Sequence, residues 1–264
     1  MLKKLLTAVA ATAAAALVMQ GGANSGTLNE ILSRGKIRVA VMQDFAPFGA
    51  LNTALEPEGY DIDVAKRIAE SLGVKVELVP TTGANRIPFL QTDKVDVVAA
   101  ALGANPDRAK VIWFSSAYAP FFSGIYTKKG VKIKTYEDLA GKSVGVARGN
   151  LEDLELSKVA PPSANIMRFE DNATTAAAWI SGQVEVLAIG NTAAALIAKN
   201  NPSLEIENKI IIKNSPVFLG VSKGNEDLLR WLNVFIMHQR VGGGLNELSI
   251  KWFGQPLPTD MPSL

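Results

Sequence analysis

From residue 36 onward the chain repeats one alternation, a short run of β-branched and apolar residues followed by a stretch whose apolar positions recur every three or four. "KIRVAVM" (36–42), "KVELVP" (75–80), "VDVVAAAL" (95–102), "KSVGVA" (142–147), "ANIMRF" (164–169) and "VEVLAI" (184–189) read as strands. "YDIDVAKRIAESLG" (60–73), "NRIPFLQTD" (85–93), "DNATTAAAWISGQ" (171–183) and "NTAAALIAKNN" (191–201) carry helical spacing, and several end in Gly or Asn-Asn stop signals. Strands that alternate with helices predict an α/β fold with parallel-rich sheets.

Two segments depart from this rhythm. "SSAYAPFFSGIYTKKGVKI" (115–133) and "NKIIIKNSPVFLGVSKG" (208–224) are long, extended and without helical spacing, each with a polar or proline-marked middle. A chain that crosses from one α/β lobe to another and later returns needs two such runs; two β-hairpins inside one domain are the alternative. A helical tail follows at 225–254, broken at Gly242–Gly244.

The amino terminus changes the picture of where the chain works. Lys3 and Lys4, an apolar run from Leu5 to Met19 and small residues around Ala23 have the layout of a secretory signal peptide, expected over residues 1–23. A membrane anchor is the alternative, but the run is shorter than the roughly 20 residues that span a bilayer. Without Lys3 and Lys4 the 27 basic residues become 25, against 25 acidic, a balance that predicts no nucleic-acid partner. The absence of cysteine excludes disulfides, thiol catalysis and thiolate metal sites, and His238 is the single histidine, so neither a catalytic triad nor a histidine metal site can be built. "VGGGLNE" follows no strand and is no phosphate loop. No cofactor, metal or catalytic residue is expected.

Five stretches carry a resemblance: "GKIRVAVMQDFAPFGA", "EGYDIDVAKRIAESLGVKVELVP", "RAKVIWFSSAYAP", "YEDLAGKSVGVARGN" and "GGGLNELSIKWFG". In this order and spacing they resemble the bacterial periplasmic solute-binding proteins of polar amino-acid ABC transporters, solute-binding family 3, over about residues 27–257. The resemblance implies a two-lobed periplasmic-binding-protein fold of type II, with two crossover strands as hinge. It divides the chain into the signal peptide (1–23), a first lobe (24–120, returning at 216–264) and a second lobe (121–215). It further implies a periplasmic monomer that closes over a small-molecule ligand, an amino acid or small organic acid, and is then read by a membrane permease.

Residue by residue, the resemblance places Arg108 against a ligand α-carboxylate, which a planar guanidinium grips bidentately; a surface pairing with Asp107 is the alternative. Where the family has hydroxyls beside it, this chain has Ala101 and Gly103. Arg86, in "NRIP", matches the arginine that faces a side-chain carboxylate in acidic-amino-acid binders, unless it bridges to Asp93 or a neighbouring loop. In "VARGNLED" Gly149 is kept, Asn150 and Leu151 replace hydroxyl residues, Asn150 is placed to cap a helix, and Arg148 adds a third cation or a solvated one. Phe45, Phe48 and Tyr60 fall where aromatics line the cleft, with plain core packing as the alternative; Trp113 stands in place of an acidic residue.

One departure bears on the ligand. Amino-acid binders of the family place an aspartate for the ligand ammonium in the stretch that reads "LAIGNTAAA" here, with Gly190 and Asn191. A buried ammonium without a charge partner is costly, so either another acid serves or the ligand has no ammonium. Asp44 is the candidate substitute, and turn capping its other role. The expected function is therefore a non-enzymatic binding subunit of an ABC importer for an acidic or polar amino acid. The alternatives are a binder of non-amino organic acids and a cyclohexadienyl-dehydratase-like enzyme, for which Glu152 and Asp153 are the nearest acids.

Overall fold

The computed structural model describes residues 27–261, so the expected signal peptide lies outside the described residues. Helix α1 (Thr27–Arg34) leads into strand β1 (Lys36–Val41), whose Ile37, Val39, Ala40 and Val41 are buried. A small antiparallel sheet of β2 (Asp44–Phe45), β3 (Gly49–Leu51) and β4 (Pro57–Glu58) follows. Helix α2 (Tyr60–Leu72) buries one stripe, Ile62, Ala65, Ile68 and Ala69 among it, and stops at Gly73, whose left-handed φ of 69° lets the chain turn back. Then come β5 (Lys75–Pro80), α3 (Arg86–Gln91), β6 (Val97–Val98), α4 (Pro106–Ala109) and β7 (Ile112–Ala119).

At Pro120–Phe121 the chain leaves this sheet. It builds β8 (Phe122–Lys128), β9 (Ser143–Ala147), α5 (Leu151–Val159), β10 (Asn165–Phe169), α6 (Asn172–Ile180), β11 (Val186–Gly190), α7 (Asn191–Asn200) and β12 (Ile206–Asn214). It returns through Ser215–Pro216 to β13 (Val217–Ser222), and ends in α8 (Glu226–Val241) and α9 (Gly244–Phe253).

The result is two five-stranded sheets, β5-β1-β6-β13-β7 and β10-β9-β11-β8-β12. In the first, β1 runs parallel to β5 and β6; in the second, β9 runs parallel to β10 and β11, and in each the strand entering from the other lobe pairs antiparallel. Both extended runs become these lobe-crossing strands. The two lobes face each other with the carboxyl ends of β1, β6, β9 and β11 toward the cleft, the place where open α/β sheets bind ligands. No helix among the described residues is long and apolar enough to cross a membrane.

One expected strand is shorter than its apolar run. Within 95–102 only Val97 and Val98 join the sheet, because at Ala101 the backbone turns left-handed (φ 46°) and its N–H goes to Asp61 instead of a neighbouring strand. The break at Gly242–Gly244 separates α8 from α9, with Gly243 at φ 80°.

Candidate functional site

The cleft is built from arginines outward. Asn105 caps the single turn of α4 by accepting the Arg108 N–H at 2.8 Å, with Pro106 preset for the first helical position. That turn points the Arg108 side chain back into the cleft, where it is 5% exposed. Its Nη1 donates to the Gly103 carbonyl at 2.6 Å and its Nη2 to the Gly149 carbonyl of the other lobe at 2.9 Å. The alternative pairing with Asp107 is absent, since Asp107 binds Lys110 at 2.8 Å.

Arg86 opens α3 and is 2% exposed. It donates to the carbonyls of Gly83 (3.1 Å), Ala100 (2.9 Å) and Ala101 (3.1 Å), and across the cleft to Asn150 Oδ1 (2.8 Å). It does not reach Asp93. Burial, then repulsion from Arg108, pushes the Arg86 guanidinium down to about 9, and burial lowers Arg108 as well.

The second lobe meets these cations with main chain and amides. Gly149 (φ 72°) lies so close to the first lobe that a Cβ there would sit 2.8 Å from Ala84 Cα, which explains a glycine at this point. Asn150 stands at the start of α5, yet its side chain makes no capping bond; the expected cap is replaced by a bridge, Oδ1 to Arg86 and Nδ2 to Asn172 Oδ1 at 2.8 Å. Asn172 in turn donates to Asp44.

Between the lobes lies a cavity of about 10 Å³, the space of roughly one water, lined in part by Met42, Phe45, Phe121, Arg86, Arg108 and Glu152. Ala101, Gly103, Asn150 and Leu151 complete its wall. Several expected site residues stand elsewhere. Phe48 and Tyr60 are fully buried behind Phe45: Phe48 packs against Phe45, Phe121 and Phe253 at ring separations of 5.9, 5.8 and 5.1 Å, and the Tyr60 hydroxyl donates to the Tyr118 carbonyl at 2.7 Å. Their burial makes them core, not cleft wall. Arg148 is exposed, away from the cavity.

Asp44 does not face the cavity either. Its Oδ2 accepts the Asn172 N–H at 2.7 Å and the Asn172 amide at 3.1 Å, capping α6 of the opposite lobe. At Gly190 a Cβ would lie 2.3 Å from the Phe121 ring, so that ring fills the space of a side chain here, while Asn191 accepts the Phe122 N–H at 3.1 Å on the crossing segment.

The acid that does line the cavity is Glu152, 4% exposed and accepting the Ser123 hydroxyl at 2.8 Å. Burial raises its pKa, and the nearby Arg86 and Arg108 oppose that rise. Asp153, its neighbour, is spent on Arg168 Nε (2.8 Å) and the Gly149 N–H (3.0 Å). A second acid behind the site was missed from sequence: Asp61, fully buried, accepts the Ala101 N–H at 2.7 Å and the Tyr118 hydroxyl at 2.5 Å, and burial pushes it up to about 7. An aspartate on the buried stripe of "YDIDVAKRIAESL" was the available signal.

A family model for bacterial extracellular solute-binding proteins, family 3, matches residues 37–255. The chain belongs to that family. Among its relatives is the L-cystine-binding protein of Escherichia coli strain K12, to which this solute-binding protein is 30% identical over 256 residues, covering 95% of this chain and 94% of the other. The crystal structure of a cysteine-binding protein from Campylobacter jejuni superposes with a TM-score of 0.82 at 26% identity, covering 90% and 96% of the two chains. An ancestral amino-acid-binding protein described as a precursor of cyclohexadienyl dehydratase superposes at 0.78 with 34% identity, covering 86% and 99%. In this solute-binding protein two lobes meet at a cleft at the strand ends, with two buried arginines beside it.

Proposed function

We propose that this solute-binding protein captures a carboxylate-bearing amino acid in the periplasm, an acidic one by preference, and presents its closed form to an ABC permease. The observation that carries the reading is Arg108: one guanidinium, buried beside the cavity, bonded to Gly103 on its own lobe and to Gly149 on the other. A ligand carboxylate that replaces those carbonyl acceptors turns bonds with one charged partner into bonds with two, in the bidentate geometry that guanidinium favours, and keeps the link between lobes. Arg86, joined to the second lobe only through Asn150, offers the same exchange to a second carboxylate. The relatives named above for cystine and cysteine support an amino acid as the class of ligand.

A cavity of about 10 Å³ admits no amino acid as it stands, so uptake requires the lobes to part. We propose that residues 27–120 with 216–261 move as one body against 121–215, about Pro120–Phe121 and Ser215–Pro216. Parting breaks Arg108–Gly149, Arg86–Asn150 and Asp44–Asn172; the ligand restores closure and so shifts the population toward the form the permease reads. The protein acts as a monomer, without metal or cofactor.

The test is a thermal-shift and calorimetric screen of residues 24–264 against amino acids, dicarboxylates and prephenate. Ligands that bind only the folded state raise its melting temperature. Arg108→Ala should weaken the best ligand by about 2–5 kcal/mol, the cost of removing one side of a buried charge pair. Binding retained within a few-fold overturns the site. A second reading, a dehydratase for prephenate-like acids, is favoured by one observation, a buried Glu152, its pKa raised by that burial, beside two arginines. It requires prephenate to be consumed with release of an aromatic product, followed by ultraviolet absorbance, and the loss of that turnover in Glu152→Gln.

A further inference from the structure

The charges that line the cavity do not balance by themselves. Arg86 and Arg108 supply two cations and Glu152 the one anion, while the rest of the wall is Met42, the aromatics Phe45 and Phe121, Leu151, and the uncharged polar or small positions. The position where relatives are expected to carry an acid is closed, because the Phe121 ring occupies the space a side chain at Gly190 would take. Asp44, Asp61 and Asp153 are each engaged elsewhere. A ligand ammonium buried in this cavity therefore meets one carboxylate.

We propose that Glu152 is the ammonium partner of the bound amino acid, supplied from the first turn of α5 in place of an acid at the end of β11. The proposal rests on the reading of the cavity as an amino-acid site. Glu152 is already oriented toward such a partner, because the Ser123 hydroxyl holds Oε1 at 2.8 Å, while the two guanidinium groups donate to carbonyls and to Asn150. An α-amino acid carries its ammonium and carboxylate on one carbon, so their partners must border one small space, as Arg108 and Glu152 do. With two cations and one anion in the wall, the complement is a ligand with two carboxylates and one ammonium. Each charge is then paired, which is the condition for burying any of them at acceptable cost. A monocarboxylic amino acid leaves one guanidinium without an ionic partner, and a dicarboxylic acid without nitrogen leaves Glu152 unpaired.

The test compares matched probes by calorimetry, glutamate with glutarate and aspartate with succinate, on residues 24–264 and its variants. In the wild type the amino member of at least one pair binds on the order of 100-fold more tightly than its deamino counterpart. In Glu152→Gln that ratio collapses to about threefold or less, through weaker binding of the amino acid with the deamino acid unchanged or tighter. Glu152→Asp, which keeps the charge on a shorter stem, retains part of the ratio. A merely structural role for Glu152 would weaken both members alike and leave the ratio in place, and that result overturns the proposal. A wild type that shows no preference for the amino member overturns it too. Arg108→Ala serves as the separate control: it should lose both members of a pair. If it binds both as the wild type does, the reading of the site fails, whereas a persistent ratio in Glu152→Gln fails the assignment of Glu152 alone.

Discussion

Asp44 of the first lobe caps a helix of the second, its Oδ2 accepting both the backbone N–H of Asn172 at 2.7 Å and the Asn172 side-chain amide at 3.1 Å. The same Asn172 accepts from Asn150, which accepts from Arg86, so an unbroken polar chain begins and ends in the first lobe and passes twice across the cleft. These bonds join the two lobes beside Arg86 and Arg108. On the proposed hinge motion they stabilise closure and must yield for a ligand to enter.

Asp44→Ala removes a cross-lobe cap of a kind worth about 1 kcal/mol. Calorimetry should show all ligands weakened roughly five- to tenfold, with the glutamate-to-glutarate ratio unaltered, because Asp44 does not line the cavity. A change in that ratio would place Asp44 on the ligand ammonium instead.

Gly149→Ala puts a Cβ 2.8 Å from Ala84 Cα and forces an alanine to φ 72°. The left-handed conformation alone costs about 1–2 kcal/mol. The clash lies between the two lobes, so on the proposed hinge motion it is met only on closing. Affinity should therefore fall more than the melting temperature of the free protein, and small-angle scattering should report a larger radius at saturating ligand than for the wild type. Equal radii would show that the Ala84 loop yields.

Gly190→Asp restores an acid near the position where amino-acid binders of the family carry one, yet it should not improve binding. Its Cβ would meet the Phe121 ring at 2.3 Å, and that ring packs against Phe45 and Phe48. The expected result is a lower melting temperature, by the roughly 1–3 kcal/mol typical of overpacking, and weaker binding. Tighter binding of glutamate would show that the ring moves aside readily.

Asp61 gives stability a pH dependence of unusual sign for a carboxylate. Burial holds its folded pKa at about 7, above the 3.8 of the free side chain, so the folded state binds the proton more strongly than the unfolded state does. Its contribution to stability is complete below the lower value and is lost as pH rises through about 7, amounting to a few kcal/mol at most. Melting temperatures measured from pH 4 to 8 should fall more steeply with pH in the wild type than in Asp61→Asn. Parallel profiles would assign the slope to other groups.

Most of the regular structure was legible because its signals are local. The stripe of "YDIDVAKRIAESLG" predicted a helix at 60–73 and α2 covers Tyr60–Leu72; "KVELVP" predicted β5 to the residue. Other elements resisted for physical reasons. In "VDVVAAAL" every residue suits a strand, but the Ala101 N–H finds Asp61, forty positions earlier, and the ladder ends at Val98. The small sheet of β2, β3 and β4 contributes only two or three residues per strand, too few for any periodicity. Arg108 and Arg86 were marked by the family resemblance of their stretches, and Arg86 also because a cation at the start of a helix lacks a helical explanation; the structure buries both beside the cavity.

What the chain determines by itself is therefore the set of parts: alternating strands and helices, two extended crossings, two cleft arginines, and no acid at Gly190 or Asn191. Which acid lines the cavity beside those arginines was decided by packing at a distance. Glu152 and Asp153 are adjacent and chemically alike, but about 100° of helical rotation separates them. One is turned toward Ser123 and the cavity, and the other toward Arg168 and the Gly149 N–H. Phe48, Tyr60 and Asp44 were displaced from the expected site in the same way, by neighbours that lie close in space and far along the chain.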